Sequence, residues 1–429
     1  MTSVFDLTAL LLTLSAAFGW LNYRFVRLPH TIGITFMGLI ASLLLLLVEI
    51  LLPNERIFED IENAILHIDF ADILMDGMLA FLLFAGALTV DLNSLRNRAL
   101  PVAFLAFAGT ALSTVIMGAG FWWLAGLAGV SISFLWALVF GALISPTDPV
   151  AVLSTLKTAR IPAPLRVEIQ GESLFNDGMG IVLFTFLVGL AAGGSAAEFD
   201  VNTAVLHLVI EAGGGLVLGV CTGYIAYLAI RAIDDFSVEV LITLALVTGT
   251  YAVAKEVGLS GPLAMVSAGL LIGHRGPKYA MSEKTQTYVW SLWTLIDEIL
   301  NSVLFLLIGL EVLVLNVNPD LLFLALAGIP LALASRFIAV ATPHLVYRTG
   351  LRQSGPRALF QTWAGVRGGI SIALVLSLPG GDAKQIILAA TYAIVIFTVI
   401  IQGATLQAVA RRLFPAESGQ DADTSRQSS

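Results

Sequence analysis

The chain has 429 residues, of which 58% are hydrophobic and 12% charged, with a net charge of -8 and a mean hydropathy of +0.91. A water-soluble domain carries about 25% charged residues, so an ordinary soluble enzyme is excluded, and the acidic balance argues against a nucleic-acid partner. The single cysteine, Cys221, excludes an internal disulfide and a multi-thiolate metal site.

The apolar residues fall in long runs, close to the roughly 20 residues that a helix needs to cross about 30 Å of hydrocarbon. In chain order, thirteen candidate spans lie at about 4–26, 31–52, 70–90, 100–128, 131–157, 168–193, 202–231, 237–256, 260–274, 287–315, 320–347, 356–379 and 385–410. The first has no basic segment before it and no small-residue cleavage pattern, so it reads as a retained helix and not a signal peptide. Asp72 and Asp76 interrupt the third and the ninth is short, which leaves twelve as the alternative count. Cys221 lies in an apolar run and reads as packing. Residues 414–429 are polar and read as a short disordered cytoplasmic tail, with 1–413 forming one transmembrane domain.

Charge distribution orients the spans. With the first loop cytoplasmic, that side receives 17 of the 22 basic residues, and the opposite side only Arg56, Lys255 and Lys384. This split predicts an odd number of spans in a multi-pass cell-membrane protein, with the N-terminus outside and the C-terminus cytoplasmic. Arg336 and Arg367 fall inside spans.

A charge at the bilayer centre costs at least about 2.5–3.5 kcal/mol, so each needs a partner or a purpose. Span five contains SPTDPVAV at 145–152. Pro146 and Pro149 lack N–H groups, which frees the carbonyls of Ala142 and Ser145 and gathers them with the Thr147 hydroxyl and Asp148 carboxylate as oxygens at membrane depth. The plain alternative is a proline kink with a capping aspartate. Span six contains GESLFNDGMGIV at 171–182. Ser173 and Asp177 share one helix stripe, and Glu172 and Asn176 share the next. Gly178 and Gly180 admit a neighbouring backbone, and burial favours the neutral form of a carboxylate, as proton exchange at neutral pH requires.

Arg336, alone in span eleven, needs a buried partner, and Glu172 is the natural one because pairing would disable Asp148 or Asp177. In span twelve, Gly365, Gly368 and Gly369 surround Arg367 and predict a second broken helix. Breaks in spans five and twelve, seven apart, suggest two inverted six-helix repeats joined by span seven, the layout of secondary transporters. Asp297, Glu298 and Asn301 in span ten could face a cavity, line the cytoplasmic funnel or sit at the start of the span, and a structural or funnel role is the favoured reading. His207 and His344 are single and near span ends, and no two histidines have the spacing of a transition-metal site.

These motifs, with GPLAMVSAGLLIG (261–273), LIDEILNSVLFLLIGLE (295–311) and GVRGGISIALVLSLP (365–379), resemble the NhaP-type sodium/proton antiporters of cation:proton antiporter family one. The resemblance implies an all-α fold of about thirteen transmembrane helices with crossed discontinuous helices, a homodimer, and no cofactor. It implies Na⁺ and H⁺ as substrates, with Asp177 the carboxylate that carries either, Asn176 its partner, and Thr147, Asp148 and Ser173 lining or coordinating the sodium site. Glu172 and Arg336 would be a structural ion pair, and Arg367, Gly368 and Gly369 would shape the second break. A core bundle of about 70–193 and 320–413 would move against an interface bundle. Where many members carry glutamate in a Phe-Glu-Gly segment, this chain has Ala85 between Phe84 and Gly86, and Asp91 and Asp76 are the candidates to stand in.

One exchangeable charge sets the expected mechanism: Asp177 holds a proton or a cation, only loaded forms cross cheaply, and exchange is one for one and electroneutral. The protein is then a transporter and not an enzyme. A potassium/proton antiporter is the runner-up in the same class. An intramembrane aspartyl protease using Asp148 and Asp177 is the remote alternative, and a channel is opposed by the absence of a repeated pore loop.

Overall fold

A computed structural model describes residues 4–51, 73–148, 152, 161–193, 201–310, 319–346 and 351–415. The expectations placed on Asp72, Pro149 and residues 416–429 lie outside the described residues, as do the side chains of Asp76 and His344. Among the described residues the ordered elements are all helical.

In chain order these are α1 (Val4–Leu21), α2 (His30–Leu51), α3 (Leu79–Leu88), the short α4 (Leu92–Asn97), α5 (Ala99–Leu127), α6 (Phe134–Ile144) and α7 (Ala163–Ala192). Then come α8 (Val201–Arg231), α9 (Phe236–Glu256), α10 (Gly261–Tyr279) and α11 (Glu283–Leu310). The last are α12 (Pro319–Val346), α13 (Leu351–Trp363), α14 (Gly369–Leu376) and α15 (Asp382–Leu413). Nine helices, counted among the described residues, are long and apolar enough to cross a membrane. Each expected segment carries part of a described helix, although the third begins as a π-helical turn at Ile73–Met78 and the fifth and twelfth are broken.

Side chains that satisfy the first free N–H groups fix several helix starts. Ser133 accepts from Trp136 N, Ser260 from Leu263 N, and Asp235 from Ser237 N and Val238 N. The outward faces are apolar: on α8, Val209, Val217 and Ile225 are each at least 60% exposed. In water such a surface would be a defect, whereas against lipid it is the expected exterior, and the chain is a multi-pass membrane protein.

Lipid supplies no hydrophobic drive between helices, so contact depends on close approach. Gly215, Gly219 and Gly223, four apart, place one stripe of α8 directly on α10. A Cβ on Gly219 would collide with the Ala264 carbonyl, and one on Gly223 would lie 3.2 Å from the Ala268 Cα. Ser267 Oγ donates back to Leu216 O at 2.9 Å. The opposite side of α10 meets α3, where Gly273 abuts the Leu88 carbonyl. Thus the first half of α10, largely apolar and buried at every position from Gly261 to Leu270, stands as an inner post.

The two broken spans touch. Helix α6 ends at Ile144 and the chain is non-helical through Asp148, while between α13 and α14 it is non-helical through 365–368. Asp148 N–H donates to Val366 O at 2.8 Å, main chain to main chain across the two interruptions.

Candidate functional site

Pro146 ends α6 because it has no N–H to continue the ladder, and the last helical bond runs from Ser145 N to Gly141 O at 3.0 Å. Three carbonyls at this helix end are not left for a cation. Arg367 Nη1 donates to both Ser145 O and Pro146 O, the latter at 2.7 Å, and Ser371 Oγ donates to Leu143 O at 2.7 Å. This corrects the expectation that the Ser145 carbonyl joins the oxygens open to an ion. The second break supplies donors to the first, and Arg367 is itself fully buried, its N–H held by Thr398 Oγ1 at 3.1 Å.

Facing the break is α7. Asn176 Nδ2 donates to Thr147 Oγ1 at 3.0 Å, Thr147 N–H donates to Asn176 Oδ1 at 3.3 Å, and the Thr147 and Ser173 hydroxyls are 3.0 Å apart. All three residues are buried. Asn176 therefore holds the unwound segment to α7, with both ends of its amide engaged. Gly180 lets the Pro146 ring sit against α7, and Gly178 admits Leu263 of α10.

Asp177 and Asp148 are the members of the expected set that reach open space. Both line one cavity of about 560 Å³, with Asp177 only 5% exposed and Asp148 half-buried. Gly368 closes the wall beside them: a Cβ there would fall on the Asp148 carboxylate, so only glycine fits with this packing. Gly369 also lines the cavity, against Leu304. Asp177 thus has a second carboxylate near it and a route outward, which suits a group that trades a proton for a cation.

The expected pairing of Arg336 is present. Its Nη1 and Nη2 reach the two carboxylate oxygens of Glu172, the second at 2.9 Å, with Glu172 1% exposed. Gly365 makes room for this arginine, since a Cβ there would lie 2.9 Å from Arg336 Nε. The pair lies on the stripe of α7 next to that of Asp177, as helical spacing requires.

Asp297 and Glu298 of α11 line the same cavity as Asp177, so of the roles left open for them, facing a cavity is the one that matches where they sit. Ala85 also lines it. Asp91 does not take its place: its carboxylate accepts from Asn93 N, Ser94 N and Ser94 Oγ and caps α4. Those bonds, the Ser94 hydroxyl foremost, hold its carboxyl below the usual range. Reading the sequence missed Thr398 and Ser371, which brace the second break, and Thr31 on the cavity wall. A hydroxyl in an apolar run is the only local signal any of them gives.

The sequence profile described as "Sodium/hydrogen exchanger, transmembrane" matches residues 10–412. The chain is 42% identical over 417 residues to the Na(+)/H(+) antiporter NhaP of Pseudomonas aeruginosa, covering 96% of this chain and 97% of that one. It is 31% identical to the Na(+)/H(+) antiporter NhaH of Halobacillus dabanensis, covering 91% of this chain and 93% of that one. Its fold is similar to that of the sodium proton antiporter MjNhaP1 from Methanocaldococcus jannaschii, with a TM-score of 0.73 at 20% identity, over 95% of this chain and 97% of that one. The aspartyl-protease and channel alternatives fall with these matches. The chain belongs to the sodium/hydrogen exchanger family of transmembrane proteins.

Proposed function

We propose that the protein exchanges sodium ions for protons, one for one, with Asp177 as the carboxylate that carries either. The observation that carries this is the placement of Asp177: a buried acid with a face on a cavity, beside Asp148 and the contact of two helix breaks. An unloaded carboxylate in a low-dielectric wall is costly, whereas a protonated or sodium-bound one is close to neutral, so the loaded forms are the ones that change sides. With an asparagine and not an acid at 176, one charge is neutralised per passage, and exchange is electroneutral. Sodium is favoured over potassium because the relatives at 42% and 31% identity carry names that specify it.

In the same proposal Thr147 and Ser173 supply hydroxyl oxygens close to the bound ion, and Asn176 sets Thr147 in place. Glu172 and Arg336 serve structure. The bundle of about 70–193 and 320–413 moves against the remainder, two inverted repeats relate the breaks, and two copies form a dimer. The N-terminus lies outside and the C-terminus in the cytoplasm, on the strength of the basic loops. The test is proton movement in proteoliposomes driven by sodium, lithium or potassium. Asp177→Asn is expected to abolish it while the protein still folds, and exchange retained by that variant would overturn the assignment.

A further inference from the structure

The cavity wall built by α2 and α11 carries oxygens that the Asp177 site does not use. Thr31, Thr35, Gly38 and Ser42 recur at helical spacing and form one stripe of α2 against α11. Two of its hydroxyls end on α11 carbonyls: Thr35 Oγ1 donates to Phe305 O at 3.2 Å and Ser42 Oγ to Gly309 O at 2.9 Å. One turn before Thr35, the 2.8 Å contact of His30 Nε2 with Ser302 Oγ puts Thr31 beside the turn of α11 that holds Asn301 and Ser302. Thr31 is 4% exposed and lines the cavity, yet its hydroxyl has no hydrogen-bond partner among the described residues. Buried hydroxyls are rarely left so, and an unmatched one on a cavity wall points to something that binds there.

At the same level α11 presents a fixed carboxylate. Asn301 Nδ2 donates to Asp297 Oδ1 at 3.0 Å and to Asp297 O at 2.8 Å, which sets the acid against the wall and leaves Asn301 Oδ1 as a carbonyl oxygen. A carboxylate, an amide carbonyl and a hydroxyl are the oxygen donors that hard cations take.

We propose that Asp297, Asn301 and Thr31 form an outer cation site, where a sodium ion, still partly hydrated, is held in the cavity before it reaches Asp177. The site rests on the reading of Asp177 as the exchange carboxylate, because it serves that residue. When Asp177 carries a proton it offers an arriving cation no charge. A second carboxylate in the cavity keeps sodium at hand until the proton leaves.

Full-length protein in liposomes tests this through the sodium concentration that gives half-maximal exchange. Asp297→Asn is expected to raise it about tenfold and Thr31→Val about threefold, with the double variant near the larger effect because both remove ligands of one ion. A direct arm uses radioactive sodium on purified Asp177→Asn protein: weak binding is expected to persist and to vanish when Asp297→Asn is added. Half-maximal sodium unchanged in both single variants, or no binding left in Asp177→Asn, overturns the outer site and leaves the Asp177 reading standing. Exchange retained by Asp177→Asn overturns the Asp177 reading instead. Should Asp297→Asn fail to fold, Thr31→Val, which trades a hydroxyl for a methyl of similar size, gives the deciding measurement.

Discussion

Arg367, in the interruption between α13 and α14, donates to the carbonyl of Pro146 at 2.7 Å and to that of Ser145 beside it, in the interruption after α6. A single guanidinium thus satisfies two backbone acceptors at the point where proline ends their helix.

Arg367→Ala is expected to strand both carbonyls and to lower stability by about 2–6 kcal/mol, since each buried acceptor left without a donor costs about 1–3 kcal/mol. Arg367→Lys keeps the charge without the planar fork and should fall between. Thermal melting in detergent measures both, and a wild-type melting point for Arg367→Ala would contradict the bracing role.

Glu172→Ala leaves Arg336 buried beside Gly365 with no carboxylate, and removing one partner of such a pair costs about 3–5 kcal/mol. Replacing both, Glu172→Leu with Arg336→Met, should recover most of that loss, because neither charge is then stranded. Stability recovered by the double replacement without recovered exchange would give the pair a part in transport.

Gly368→Ala brings a Cβ onto the Asp148 carboxylate, so Asp148 or the break must shift. A displacement of that size near a reacting group can cost about a hundredfold in rate, so initial exchange rates should fall by at least about tenfold while the protein still folds. Gly380, with open space around it, is the control, and Gly380→Ala should exchange normally.

Asn176→Ala and Thr147→Val remove the two ends of one hydrogen-bonded unit. Their stability losses should be non-additive by about 1 kcal/mol in a double-mutant cycle. Additive losses would mean that the 3.0 Å contact holds nothing together.

Asp91→Asn should leave half-maximal sodium unchanged, since the side chain caps α4 and asparagine caps as well. Because the Ser94 and Asn93 bonds lower the Asp91 pKa, the stability they give is present above the ordinary carboxylate range and is lost as pH falls through the folded value. Hydrogen exchange of the α4 amides on acidification reads this directly, and Asp91→Asn should remove the acid step. A weakened sodium response in that variant would restore Asp91 as the stand-in for Ala85.

Much of this architecture is legible in the chain because lipid imposes simple rules. Apolar length marks the helices, Pro146 and the glycines around Arg367 mark the breaks, and the cost of a lone buried arginine pairs Arg336 with Glu172. The partners of Arg367 are a different matter. They are backbone carbonyls more than two hundred positions away, and no side-chain pattern at Ser145 or Pro146 advertises them. Helical spacing grouped Ser173 with Asp177, yet it is silent on which of them meets a cavity and which meets Thr147. The face of α11 that bears Asp297 is open for the same reason, since spacing says which residues share a face and not where the void lies.

The bond from Asp148 N–H to Val366 O involves no side chain at all. Alanine scanning is therefore blind to it, and position 366 can drift among apolar residues without releasing it. The two interruptions are stitched by main chain, so in the proposed exchange they are expected to move as one part. Chemical synthesis that puts an ester in place of the amide at residue 148 is the substitution that cuts the stitch and leaves every side chain in place.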